Sequence, residues 1–421
     1  MRTLNAWIAN RRVGAFTESP QADGGTRYAF EYEEVTSENI VSLTMVPIEG
    51  ELRFESPTFP PPFEMVLPEG ERRVRIEESR KILRTDSFSL LSYVGGNPVN
   101  RVLFLAPGEE PGGRPPELPA PAEIAETKKG RELFRALVAK LDLRQGVAGV
   151  QPKVLGAPSP AKLSPELRQF RGSTHILKAS TSRFPFLAVN EHTCLSVFEK
   201  AGITIPRTTL SADGELLLVE RFDVRKDGHL AGFEEAAALM GETSATKYQR
   251  EFGTMVEVLA EFISPTSRAS ARATLVKCLV LNHLLGNGDA HLKNFGVLYE
   301  DAAHVSLAPI YDCVSTLPYI PDDVPALVLS FDWYSKAWWP RTKIEEFAVQ
   351  YGMLSHAAIR RMFDETFDAV LGGVKTATRY GREIGGFADL AGKMAKLWTT
   401  RVGAFRAEES VLKKTRKRTK S

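Results

Sequence analysis

A chain of 421 residues is too long for one hydrophobic core, so two or three domains are expected. Its 43% apolar and 25% charged residues suit a globular protein and exclude a disordered or membrane-embedded chain. The net charge of +2 sits at one end: Lys413–Lys420 carries six basic groups, and removing them leaves the body at −4, which excludes a nucleic-acid footprint spread over it.

Residues 1–105 read as a β-rich N-terminal subdomain. LNAWIANRRVGAF alternates around a turn, FSLLSYVGG (88–96) suits a short apolar helix ending at glycine, and RVLFLAP closes with a strand. The Pro/Gly/Glu-rich stretch Pro107–Pro121 marks a boundary, and residues 106–128 are assigned as a linker. Residues 129–225 mix short strands, HILKA and ELLLVERF, with a helix over 187–203. Leu195, Val197 and Phe198 give that helix a core stripe, and Gly202 ends it. Residues 226–405 read as a mainly helical lobe, interrupted by strand-like FGVLY (295–299) and HVSLAPIYD (304–312). Residues 406–421 are a basic tail, read as a solvated disordered end, with contact to phosphate as the alternative.

Cys194, Cys278 and Cys313 lie far apart with no C-x-x-C pair, which argues against a zinc ribbon or disulfide framework and suits a reducing cytosol. The N-terminus has no long apolar signal region, and no run of 18 apolar residues exists, so a cytoplasmic protein without membrane contact is expected.

The stretch GNGDAHLKNF (286–295) places Asp289 five residues before Asn294. A phosphoryl-transfer site needs a carboxylate for the acceptor proton and an oxygen ligand for Mg²⁺, which kinase catalytic loops supply as D-x-x-x-x-N. Asn-Gly-Asp is also ordinary turn chemistry. His291 and Lys293, inside the loop, join the candidate nucleotide contacts. Asp312 in APIYDCVS follows a strand-like run, where a second metal-holding carboxylate would lie, or where an Asp would cap a turn. Lys178 in HILKA, if buried, needs a partner, and Glu191 at the start of the next helix can supply it. A strand Lys with a helix Glu is how kinases hold the α- and β-phosphates, although an edge-strand lysine would simply face water.

Two weaker signals flank these. In QGVAGVQPKVLG (145–156), Gly146 and Gly149 let backbone amides approach phosphate and Lys153 adds charge. Val147, Ala148, Gly149, Val150, Gln151 and Lys153 are therefore a candidate phosphate loop, though without G-K-[ST] it is no Walker A motif and an ordinary glycine turn has the same composition. In LLLVERFDV (216–224), Glu220 and Phe222 could offer carbonyl and amide to an adenine edge, or merely end a buried strand. All these features occur in the order a kinase requires. The rival reading is a His/Asp metal site of a hydrolase, drawn from His283, His291, Asp289 and Asp312. It leaves Lys178 and Lys293 without a role, and His283 falls on an apolar helix face, where a core histidine is expected.

Through VAGVQPK, HILK, NEHTCLSVFEKAGI, VERFD, NGDAHLKNFGVL, PIYDCVS and FSLLSYVGGNPVNRVLFL, the chain resembles the HipA family over roughly residues 3–400. These are serine/threonine kinase toxins of bacterial toxin–antitoxin pairs. The resemblance implies an α+β, two-lobed protein-kinase-like fold, ATP with Mg²⁺, and a protein hydroxyl acceptor on a translation factor such as an aminoacyl-tRNA synthetase. It also implies a HipB-like helix-turn-helix antitoxin that binds DNA and restrains the kinase. By position, Asp289 would be the catalytic aspartate, Asn294 and Asp312 the Mg²⁺ ligands and Lys178 a phosphate contact. A small-molecule kinase of the aminoglycoside-phosphotransferase type shares a G-D-x-H-x-x-N loop, but the β-rich first 105 residues argue against it. A pseudokinase-like binding module for a DNA-binding partner is disfavoured by the intact Asp289, Asn294, Asp312 and Lys178.

One position departs from the family pattern. Members commonly carry a serine just before the V/L/I-A-G of the glycine-rich loop, and its phosphorylation silences the kinase. Here that position is Gly146, and no Ser or Thr occurs between Thr127 and Ser159. The expected result is that the purified chain, incubated with ATP and no partner, keeps its activity. Activity that fades as phosphate accumulates on the chain would refute this.

Overall fold

A computed structural model describes the chain apart from residues 49, 113–114, 141–150, 165–166, 168–171, 331–335 and 419–421, and apart from the side chains of 71, 140 and 410–418. The N-terminal subdomain is a five-stranded antiparallel sheet ordered β4-β3-β2-β1-β5, from β1 (Arg2–Ile8), β2 (Arg11–Pro20), β3 (Thr26–Tyr32), β4 (Arg53–Ser56) and β5 (Val102–Leu105). Alternation along β1 and β2 buries Leu4, Ala6 and Phe16, and the helices α1 (Pro61–Glu64), α2 (Gly70–Arg80) and α3 (Ser87–Val94) complete the subdomain. The carboxylate of Asp86 accepts from the Ser89 amide at 2.9 Å and so caps α3. Phe16 packs its ring on Phe63, Phe88 and Phe104, which joins sheet to helices.

A second, four-stranded sheet, ordered β6-β7-β9-β8, follows α4 (Pro121–Glu126) and α5 (Gly130–Lys140). It comprises β6 (Lys153–Gly156), β7 (His175–Ala179), β8 (Thr208–Leu210) and β9 (Leu216–Glu220), with α6 (Leu187–Lys200) between β7 and β8. The expected linker over 106–128 is shortened from its C-terminal side. The Leu118 amide donates to Ala157 at 2.9 Å, and Leu118 and Ile124 enter the core under this sheet. These two apolar side chains draw the segment onto the sheet despite its prolines.

The helical lobe holds a further departure. Gly232–Glu235, read as part of a helical stretch, is a strand, β10, in a three-stranded sheet ordered β10-β11-β12. Its sequence GFEE buries both glutamates, so the apolar alternation that marks a strand is missing. The chain continues through α7 (Ala236–Leu239), α8 (Phe252–Phe262), α9 (Pro265–Leu285), β11 (Gly296–Tyr299), β12 (Val305–Leu307), α10 (Arg341–Gln350), α11 (His356–Glu383) and α12 (Ala388–Arg418). The last turns of α9 are buried throughout and form the lobe's centre, where the Trp398 indole of α12 donates to the Leu285 carbonyl at 3.1 Å. The basic run assigned to a disordered tail continues α12 as helix to Arg418, in keeping with the helix propensity of Lys and Arg. Among the described residues no helix is long and apolar enough to cross a membrane.

The N-terminal subdomain packs against the three-stranded sheet and shares its core. Phe30, Phe63 and Phe104 belong to one apolar cluster with Phe233, Ala238 and Leu298. The Leu43 amide and Ser42 hydroxyl donate to buried Glu234 at 2.6 and 2.9 Å. Arg101 reaches the Ile40 carbonyl at 2.9 Å and the Glu300 carbonyl at 3.0 Å.

Candidate active site

A cavity of about 800 Å³ lies between the four-stranded sheet and the helical lobe, with Met65, Val66 and Glu69 of the N-terminal subdomain on one wall. Strand β7 places Lys178 on it, and α6 brings Glu191 opposite. The Lys178 ammonium is 2.5 Å from Glu191 and 2.8 Å from Asp312. Burial works against its charge, but the two carboxylates overcome this and keep Lys178 protonated. Lys153 stands in register with Lys178 across the β6–β7 ladder and also lines the cavity. Burial pulls its pKa down, with Asp312 opposing. Gln151 lines the same wall, its amide donating to the Ala179 carbonyl at 3.2 Å. Val147, Ala148, Gly149 and Val150 fall within 141–150, outside the described residues, as does Gly146.

The connector after β9 lines the far side through Glu220 and Phe222. The Glu220 amide is engaged by the Arg207 carbonyl at 2.9 Å. The Phe222 ring packs on Phe233 and Tyr311.

The catalytic-loop candidate is built by its own turn chemistry. Gly286 ends α9 at φ +66°, a left-handed conformation that glycine adopts without penalty. The Asn287 side-chain amide donates to Asn282 at 2.9 Å, and its oxygen accepts from the Asp289 amide at 3.0 Å. The Asp289 carboxylate opens into the cavity and accepts from the Tyr248 phenol at 2.9 Å. The surrounding protein pushes its pKa up to about 6; Tyr248 opposes that rise and Asp312 adds to it.

Asn294 ends a short 3₁₀ turn, Leu292–Asn294, and its side-chain NH₂ donates to the Asp312 carbonyl at 3.1 Å. Its Oδ1 is buried without a hydrogen-bond partner among the described residues. Asp312 itself stands at φ +58°, rare for a non-glycine residue and worth noting at a functional site. Burial opposes its charge, but Lys178 and Lys153 hold the carboxyl well below the ordinary range. The Asp312 carboxylate and the Asn294 amide oxygen are hard oxygen donors of the kind that suits Mg²⁺ held together with substrate phosphates and water; Asp312 lines the cavity, whereas Asn294 is not among its described lining residues.

Two loop residues behave differently from expectation. Lys293 lines the cavity, yet its ammonium is held 2.6 Å from Glu69 and 3.5 Å from Glu235. It fastens the loop to the N-terminal subdomain and would have to leave Glu69 to meet a nucleotide. His291 also lines the cavity; its ring meets the Tyr248 ring edge-on at 5.0 Å, and burial and then Lys247 pull its pKa down to about 3, so it is neutral. The hydrolase alternative is not assembled: His283 Nδ1 lies 3.1 Å from the Leu279 carbonyl and its ring packs on Trp338 in the helical core. Among the described residues no three His, Cys, Asp or Glu side chains converge as a metal site.

Sequence reasoning missed Glu69, Tyr248, Lys247 and Glu235. Glu69 meets Lys247 at 2.9 Å and Lys293 at 2.6 Å, partners 178 and 224 residues away. None of the four sits in a periodic or motif-like pattern that would single it out.

A model of the HipA-like C-terminal domain matches residues 145–374, and a model of the HipA N-terminal domain matches residues 4–104. The chain belongs to the HipA family. It is 29% identical over 343 residues to a Sinorhizobium fredii protein named "Putative kinase Y4mE", covering 78% of this chain and 80% of that one. It is 24% identical over 279 residues to the serine/threonine-protein kinase toxin HipA of Shewanella oneidensis, covering 60% and 62%. A solved complex of Shewanella oneidensis HipA, HipB and operator DNA contains a chain that superposes with a TM-score of 0.69 at 18% identity, over 96% of this chain and 97% of that one. The HipA fold, α+β and two-lobed like a kinase, therefore extends over nearly the whole chain.

Proposed function

We propose that this HipA-family chain is an ATP- and Mg²⁺-dependent protein serine/threonine kinase and the toxin of a toxin–antitoxin pair. The observation that carries the reading is the convergence of Lys178, Glu191 and Asp312 on the wall of the cavity onto which Asp289 opens. Lys178 and Lys153 supply positive charge for the phosphates of ATP. Asp289 orients the acceptor hydroxyl and takes its proton as the new O–P bond forms and ADP departs. Mg²⁺, when held by Asn294 and Asp312, supplies charge neutralisation at the phosphates.

Likeness to a HipA solved with HipB and operator DNA supports a HipB-like helix-turn-helix antitoxin as partner, with DNA met mainly through it. The acceptor is proposed to be a translation protein such as an aminoacyl-tRNA synthetase, and the location cytoplasmic. In a direct test, the purified chain is given γ-labelled ATP, Mg²⁺ and a bacterial extract. Label on serine or threonine that disappears with EDTA and returns with added Mg²⁺ is the expected result. Label confined to small alcohols or sugars would overturn the protein-kinase reading.

A further inference from the structure

Tyr248 lies in a polar segment between α7 and α8, yet its phenol touches the carboxylate assigned as the acceptor base, Oη to Asp289 Oδ1 at 2.9 Å. Oδ2 of Asp289 accepts no hydrogen bond from the described residues. The tyrosine is 38% exposed, and its surroundings hold it in place. Its backbone carbonyl accepts from the Lys336 ammonium at 3.1 Å. Its ring lies against the His291 edge, with the Lys247 and Lys336 ammonium groups 5.4 and 5.6 Å from its centroid. Lys247 is in turn fixed by Glu69, and its carbonyl accepts from the Leu292 amide at 3.3 Å. Burial and the charge of Asp289 raise the phenol's pKa, so Tyr248 remains a hydrogen-bond donor at every working pH.

A fixed donor on one oxygen of a two-oxygen base sets the rotation of the other. On the kinase reading, on which this rests, we infer that Tyr248 is a positioning residue: it pins Oδ1 of Asp289 so that Oδ2 faces the incoming acceptor hydroxyl. The opposite arrangement, in which the phenol occupies the acceptor's own place and obstructs it, makes the reverse prediction for rate.

The groups facing Asp289 are Tyr248 and Lys247, which favour its charge, and Asp312 and Asp323, which oppose it, as does the enclosing protein. Removing only the phenol oxygen leaves the others in place. The test uses the full chain, as wild type and Tyr248→Phe, with Mg²⁺, ATP and the best acceptor from a serine/threonine peptide library. Alongside it, the Asp289 carboxyl is titrated by ¹³C NMR, its signal assigned with Asp289→Asn. In Tyr248→Phe, kcat is expected to fall on the order of ten- to a hundredfold with KM for ATP unchanged. Both the acid limb of the rate profile and the carboxyl titration are expected to move up from about 6. An unmoved titration, or a rate that rises, overturns the inference. If the wild type transfers no phosphoryl group at any pH while the titration still moves, the hold of Tyr248 on Asp289 stands and the kinase reading is what falls.

Discussion

Asp289→Asn is expected to lower kcat on the order of 10²–10⁴-fold while KM for ATP changes little. The amide is nearly isosteric, keeps an oxygen for the Tyr248 phenol and leaves the Asn287 turn untouched, so the loop should hold its shape. What is lost is an oxygen able to take the acceptor proton. On the proposed reading, the groups that would gather ATP are Lys178, Lys153, Asn294 and Asp312, none of which is altered. The variant should melt no lower than wild type, since the loop's own turn contacts are kept. Lost transfer with retained or raised thermal stability is the combined signature. A variant retaining more than about a tenth of the wild-type rate would remove Asp289 from the role of base.

The largest effect on stability is expected at Glu69. This buried carboxylate sits between the ammonium groups of Lys247 and Lys293, and Glu69→Ala leaves both without their closest counter-charge. Breaking one partner out of a buried ionic cluster costs about 3–5 kcal/mol, read here as a lower urea midpoint. Glu235, already 3.5 Å from Lys293, limits the loss because it can take over that cation. Glu69→Gln, which keeps the oxygen acceptor, should lose less. The pH dependence has a definite sign. Burial opposes the charge of Glu69, but Lys293 and Lys247 depress its pKa from 4.5 to about 2. Its contribution is therefore complete above about pH 4.5 and drains away as pH falls toward 2, a loss the Ala variant should not show. Equal urea midpoints for the two proteins at neutral pH would contradict this account.

How much of this was legible in sequence depends on the length scale of each interaction. Lys178 and Glu191 could be paired because each lies in a strongly apolar element, where a charge needs a reason. Asp289, Asn294 and Asp312 carried a spacing and a chain order. Lys293 was read as a nucleotide contact, and its partner was invisible, because Glu69 belongs to LPEGERR, a segment that reads as an ordinary polar turn. Tyr248 was invisible for the same reason, standing in ETSATKYQR with no neighbour in sequence to betray its contact with Asp289. The strand β10 was hidden because the two buried glutamates of GFEE erase the alternation on which strand recognition rests. In each case the missing information was a long-range partner that satisfies a polar group, which local pattern does not encode.

The seam between the N-terminal subdomain and the three-stranded sheet has an evolutionary corollary. Glu234 is tolerable only where Ser42 and Leu43 meet it, and Arg101 reaches across the same seam to the Glu300 carbonyl. Each is a lock whose key lies in the other half of the chain. The first hundred residues therefore cannot be inherited as an interchangeable cassette. A graft from a distant relative, joined at the obvious boundary near residue 105, would carry mismatched keys, and the two halves must drift together or not at all.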